Sequence, residues 1–182
     1  DPELSASLTY TLQRDTVSTD TSSSFLQGGS SLSAFNRLPL ANLFNDGITS
    51  SLRPALTWDT RDNRLFPTSG VYLRASSELA IEGLGSTNEF LRNRFTGRFY
   101  YPIGAGFVLK LNTELGLITS PSADGVPIFA RFFLGGIVDV RGFRFRSIGP
   151  RAPLTESTDP NSPPIVNGAN IGGNLMFYDN LE

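Results

Sequence analysis

The chain contains no cysteine and no histidine. Without cysteine there are no disulfides and no thiolate metal sites. Without histidine the commonest general base is missing, along with Ser-His and Cys-His nucleophile systems. No run approaches the ~18 consecutive apolar residues of a membrane-crossing helix. No stretch keeps a helical period, and no glycine-rich phosphate loop precedes a helix. Charged residues make up only 18% of the chain and the net charge is −2, which gives no reason to expect nucleic acid as a partner. Phe143-Arg144-Phe145-Arg146 has the basic-aromatic spacing of a stacking platform, but no basic domain surrounds it. The carboxylates of Asp59 and Asp62 read as strand-end and turn residues rather than an acid–base couple. Catalysis, a cofactor and a metal are therefore not expected.

What the chain does contain is glycine (18), phenylalanine (14) and proline (12), arranged around long alternating segments. From Val71 to Ala80, Val71, Leu73, Ala75 and Leu79 oppose Tyr72, Arg74, Ser76 and Glu78. From Glu89 to Ile103, Leu91, Phe95, Phe99 and Tyr101 oppose Arg92, Arg94, Arg98 and Tyr100. From Phe107 to Thr119, Leu109, Leu111, Leu115 and Leu117 oppose Lys110, Asn112 and Glu114. Side chains alternate across a strand, so each segment has one apolar and one charged face. Strands of roughly ten residues suffice to cross a bilayer when tilted, and a soluble sandwich usually carries a more mixed polar face. The expected fold is all-β: part of a transmembrane antiparallel barrel, about six strands with long external loops. The other strands are Glu3 to about Val17, Ser51 to Arg61 with Trp58 near its end, and a last one opened by Gly172-Gly173-Asn174. In that last strand Asp179 interrupts the apolar parity of Leu175, Phe177 and Leu181. Asp62–Gly70 is a stiff Pro/Gly turn. Long connections are expected at about 16–50 and 120–171. Glu182 falls inside an apparent strand, so residues 1–182 are expected to be a fragment of one barrel domain.

The longest connection holds Val140-Arg141-Gly142-Phe143, closed by Ser147-Ile148-Gly149-Pro150-Arg151. Gly142 permits a tight bend, and Arg141 offers a planar fork suited to a carboxylate. Taken alone, the string fits a solvated turn equally well. The connection's phenylalanines and leucine would make a poor solvated loop, so it is expected to fold inward.

The ordered series Asp59-Thr60-Arg61-Asp62-Asn63, Phe66-Pro67-Thr68-Ser69-Gly70, Leu134-Gly135-Gly136, Val140-Arg141-Gly142-Phe143, Ile148-Gly149-Pro150-Arg151 and Gly172-Gly173-Asn174 resembles the BamA family. These are outer-membrane protein assembly factors within a wider family of insertases and translocases. The resemblance implies a barrel of about sixteen strands, with POTRA domains and the terminal barrel strands outside this segment. It implies a non-enzymatic insertase in a Gram-negative-type outer membrane. Its partners would be unfolded outer-membrane clients, periplasmic accessory lipoproteins and lipid. The alternative is a two-partner-type secretion pore, and a substrate-specific porin comes third. The apolar faces would meet lipid, with Arg74, Glu78, Arg92, Arg94, Arg98, Lys110 and Glu114 lining the lumen. Asp62–Gly70 would face the periplasm and the long connections the exterior. Arg141, Gly142 and Phe143 would dock the loop, with Arg141 on Glu182; Glu114 or backbone carbonyls are the other candidate acceptors.

Overall fold

The computed structural model describes residues 3–15, 47–122, 125–151 and 170–182. Six strands form one antiparallel sheet in which every strand neighbours the next in sequence. They are β1 (Leu4–Asp15), β2 (Gly47–Asp59), β3 (Gly70–Ala80), β4 (Phe90–Gly104), β5 (Phe107–Thr119) and β6 (Leu175–Leu181). The start of β2 departs from expectation by four residues. Gly47 to Ser50 pair with Asp15 to Leu12, and Tyr10 Oη lies 2.9 Å from Ser50 Oγ. Cross-strand pairing extends this strand where its own polar sequence gives no apolar alternation. The expected 16–50 connection otherwise falls at 16–46, outside the described residues, as do residues 152–169 of the second long connection.

The register puts the apolar positions in rows across all six strands. One row runs Ala6, Leu56, Ala75, Phe95, Leu115, Phe177, and another joins Val71, Phe99, Leu111 and Leu181. Nothing described covers this face: Leu8, Phe107 and Leu181 are 70%, 72% and 68% exposed. An uncovered apolar surface spanning a whole sheet is what a lipid-facing wall requires and what a soluble domain avoids. The buried cluster lies on the other side, where Ala80, Phe90, Ile118 and Met176 of the sheet meet Val126, Ala130 and Phe132 of the connection after β5.

Short turns gather at one end of the sheet, between β2 and β3 and between β4 and β5. The connections after β3 and β5 leave from the other end. The 60–69 turn is heavily tied. Asp62 accepts from the Thr68 and Ser69 amides at 2.9 and 3.1 Å, and Asn63 Oδ1 accepts from the amides of Leu65 and Phe66. Arg61 clips Asp59 in a two-pronged pair at 2.8 and 2.9 Å. Gly70 closes the turn with φ +105°, and a Cβ there would lie 2.4 Å from the Thr60 carbonyl oxygen. Both carboxylates are held by groups of the turn.

Hydrogen bonds from Thr68 and Ser69 hold the Asp62 carboxyl well below its ordinary value. A depressed folded pKa means that its contribution is complete above the unfolded carboxylate's pKa, about 4, and declines as pH falls below that. Asp62→Ala is therefore expected to loosen the turn at neutral pH. Cleavage at Leu65–Phe66, whose side chains are 82% and 80% exposed, should accelerate by limited proteolysis. An unchanged cleavage rate would mean that Asp62 does not order the turn.

Candidate functional site

After β5 the chain turns back across the charged face of the sheet. Ser120 Oγ donates to the Glu89 carbonyl at 2.6 Å, and a single 3-10 turn at Ile128–Ala130 carries the chain inward. Phe132 then pairs with Gly173 through two backbone hydrogen bonds of 3.0 and 2.8 Å. Its ring lies directly on Gly116 of β5, where an added Cβ would stand 2.6 Å from the ring. A glycine in mid-strand weakens a sheet unless something approaches closely, and here the ring does. The Arg94 guanidinium lies over the same ring, 5.6 Å from its centre.

Charges on this face pair around that contact. Arg92 Nη2 donates to Glu78 Oε2 at 2.5 Å, while Ser51 Oγ donates to the other Glu78 oxygen at 2.9 Å. Arg92 Nη1 also reaches the Ala130 carbonyl at 3.4 Å, tying the loop to the strand network. Arg94 Nε sits 3.2 Å from Glu114 Oε1, and Tyr178 Oη donates to Glu114 Oε2 at 2.9 Å. Arg74 reaches Thr57 Oγ1 at 3.4 Å. Arg98 reaches Asn112 Oδ1 at 3.3 Å and lies over the Tyr72 ring. Lys110 shares the face, paired in register with Tyr100. All seven charged residues singled out from the sequence thus occupy the face opposite the apolar one.

Beyond Phe132 the loop forms its own hairpin. Leu134 and Ile148 exchange backbone hydrogen bonds at 3.2 and 2.9 Å, the Gly135 amide donates to Asp139 Oδ2 at 3.1 Å, and Arg146 stacks on Phe133 at 4.0 Å. At its tip, Gly142 takes φ +88° with nothing near the Cβ position, so the bend is what demands glycine there. Asn180 Nδ2 of β6 donates to the Asp139 carbonyl at 2.8 Å. Arg141 forms an ion pair with Glu182. Glu114, the other carboxylate considered for Arg141, is taken by Arg94 and Tyr178.

The loop's apolar groups divide. Phe132 is buried, whereas Ile137, Val138, Phe143 and Phe145 are 86%, 83%, 57% and 81% exposed. The loop thus buries its Phe132 limb against the charged face and leaves Phe143 exposed. Sequence reading did not single out Phe132 with Gly116, the Ser51–Glu78–Arg92 chain or the Asn180–Asp139 contact. The available signal was Gly116, a lone glycine on the strand face that carries Lys110 and Glu114.

The side chains of Arg141 and Glu182 are 64% and 46% exposed, so water screens their attraction. A double-mutant cycle with Arg141→Ala and Glu182→Gln in the full-length protein is expected to show coupling of about 0.5–1 kcal/mol in loop protection. Additive effects would dissolve the pair.

Among known proteins, the Omp85 superfamily domain matches residues 1–182. Outer membrane protein assembly factor BamA of Nitratidesulfovibrio vulgaris is 31% identical over 137 residues, 75% of this chain and 16% of that protein. The SAM50-like protein CG7639 of Drosophila melanogaster is 32% identical over 132 residues, 71% of this chain and 29% of that protein. The chain thus spans less than a third of the length of these relatives. The crystal structure of BamA from Haemophilus ducreyi lacking POTRA domains 1-3 matches with a TM-score of 0.64 at 24% identity, over 75% of this chain and 25% of that one. The six-stranded sheet therefore has the fold of a BamA barrel wall. With a family match along its entire length, the chain belongs to the Omp85 superfamily.

Proposed function

We propose that this chain is the loop-bearing wall of a non-enzymatic insertase that assembles β-barrel proteins into a Gram-negative-type outer membrane. The observation that carries the reading is the loop folded over the charged face, with its arginine on Glu182 and its Phe132 limb on Gly116. A sheet with one predominantly apolar face suits a bilayer, and a loop laid over the other face narrows the enclosed space. That arrangement suits a protein whose work is done at the wall and its surrounding lipid rather than through an open channel. The work itself is to lower the barrier to placing unpaired strand edges in hydrocarbon, where each unsatisfied backbone group costs several kcal/mol. A locally thinned bilayer and an available edge for strand addition both reduce it.

In this reading Arg74, Glu78, Arg92, Arg94, Arg98, Lys110 and Glu114 line the lumen, and Arg141 and Glu182 hold the loop, with Gly142 at its bend. The 60–69 turn faces the periplasm and the long connections face outward. POTRA domains and the terminal barrel strands complete the protein. Its partners are unfolded barrel clients, periplasmic accessory lipoproteins and lipid. The relatives named as assembly factor and SAM50-like protein support assembly over secretion.

The test is reconstitution of the full-length protein in vesicles with a urea-unfolded outer-membrane barrel. Client folding, read by heat-modifiable gel mobility, is expected to accelerate at least several-fold over empty vesicles. Loss of that acceleration together with passage of an unfolded polypeptide into the vesicle would replace assembly by secretion.

A further inference from the structure

A proline stands inside the sheet. Pro54 belongs to β2, which has β1 on one side and β3 on the other. It pairs with Leu8 of β1, but the ladder between β2 and β3 lapses from Leu52 to Ala55. Proline has no N–H, so the carbonyl of Ser77, opposite it on β3, lacks a ladder donor from β2. The Ser77 side chain lies on the apolar face, and so does Asn93, its partner on β4. Neither side chain has a hydrogen-bond partner among the described residues. Strands β2, β3 and β4 are each flanked on both sides, so no further strand can supply these partners.

Pro54, Ser77 and Asn93 line a groove of about 660 Å³ in that face. Ala75 forms its floor between Leu56 and Phe95 of the same row, which stand two strand spacings apart, about 10 Å. Their own side chains narrow that gap to the width of one hydrocarbon chain, and a helix about 10–12 Å across does not enter. Asn93 is four residues from Gly97, the middle of β4. That is about 14 Å along the strand, and about 10 Å in depth at the ~40° tilt of such barrels. The apolar band is about 25 Å tall, so the polar groups stand near its rim and the slot runs from them toward its centre. Unpaired backbone and amide groups are costly against hydrocarbon, and the Ser77 carbonyl calls for a donor. We propose that this groove binds one acyl chain of a membrane lipid that carries a hydroxyl or amide N–H near its head end. The donor meets the Ser77 carbonyl and the Asn93 side chain, and the chain lies over Ala75. The proposal rests on the apolar face meeting lipid, and not on the insertase activity.

The test uses the full-length protein in phosphatidylcholine vesicles with two synthetic probes. Both are phosphatidylcholines with a photoreactive diazirine at mid-chain, and one also carries a β-hydroxyl on that chain. Labelled residues are mapped by peptide mass spectrometry. The hydroxylated lipid is expected to label Leu56, Ala75 and Phe95 about threefold more than the plain lipid, the scale of one hydrogen bond inside a membrane. Labelling of Val71, Phe99 and Leu111, in a neighbouring row of the same face, should not differ between the two. Asn93→Leu should abolish the preference while chain labelling persists, and Ala75→Leu should exclude both lipids from the slot. Heat-modifiable mobility reports whether each variant folds, and the contrast between the two lipids in the unaltered protein decides even where a variant does not. Equal labelling by the two lipids overturns the proposal, because water then suffices at the rim. Labelling spread evenly over the face, unchanged in Ala75→Leu, overturns it as well. Labels confined to the charged face would overturn the lipid-facing assignment itself.

Discussion

Phe132→Ala in the full-length barrel is expected to lower stability by about 3–5 kcal/mol, the range for emptying a buried aromatic site. The ring is 5% exposed and belongs to the cluster with Ile118, Met176, Val126 and Ala130. Its removal strips Arg94 of its stacking surface and uncovers the glycine floor at Gly116. The Ile137–Phe145 segment should then become rapidly cleavable, although Arg141 and Glu182 are untouched. Gly116→Leu approaches the same contact from the strand side, because the new side chain needs the space the ring occupies. Overpacking of this kind costs about 1–3 kcal/mol. Both are read by chemical unfolding and by limited proteolysis. Retained protection in both variants would show that the Arg141 pair holds the loop without the aromatic seat.

The second large effect is expected at Arg92. Glu78 is 7% exposed and is satisfied by Arg92 and Ser51. Arg92→Met leaves a carboxylate in that site with one hydroxyl for company and frees the Ala130 carbonyl. Breaking a buried pair from one side costs about 3–5 kcal/mol, whereas replacing both partners by apolar groups is often neutral. Glu78→Leu combined with Arg92→Met should therefore recover most of the loss in chemical unfolding. If the double variant is as unstable as Arg92→Met alone, the loss comes from the Ala130 contact and not from the stranded charge.

Most of the sheet was legible because alternation is a local signal. Arg92, Arg94 and Arg98 share one parity of β4, and Leu109 and Leu111 share one parity of β5, which fixes the faces before any partner strand is known. The Arg141–Glu182 contact was expected from family resemblance and parity together, since neither alone chooses among the available carboxylates. The seat of Phe132 was not legible. Whether a glycine in a strand marks a defect or a landing place depends on a segment sixteen residues further along the chain. The beginning of β2 was hidden for a related reason: Gly47-Ile48-Thr49-Ser50 has no periodicity of its own and becomes strand only against Leu12 to Asp15. The unequal fate of the loop phenylalanines was also hidden, because composition counts Phe143 and Phe132 alike.

The contacts of the loop with β6 act as a gauge of strand pairing. Met176, Asn180 and Glu182 all meet the loop or its cluster from one face of β6. A slip of β6 by one residue against β5 would turn all three toward the apolar side and present Phe177, Asp179 and Leu181 to the loop instead. A slip by two would keep the faces but carry Glu182 away from Arg141 by about 7 Å, the rise of two strand residues. Hydrogen bonding along the strand edge barely distinguishes these alignments, since every backbone offers the same donors and acceptors. The folded-back loop does distinguish them, so its contacts check the alignment of β6 against β5.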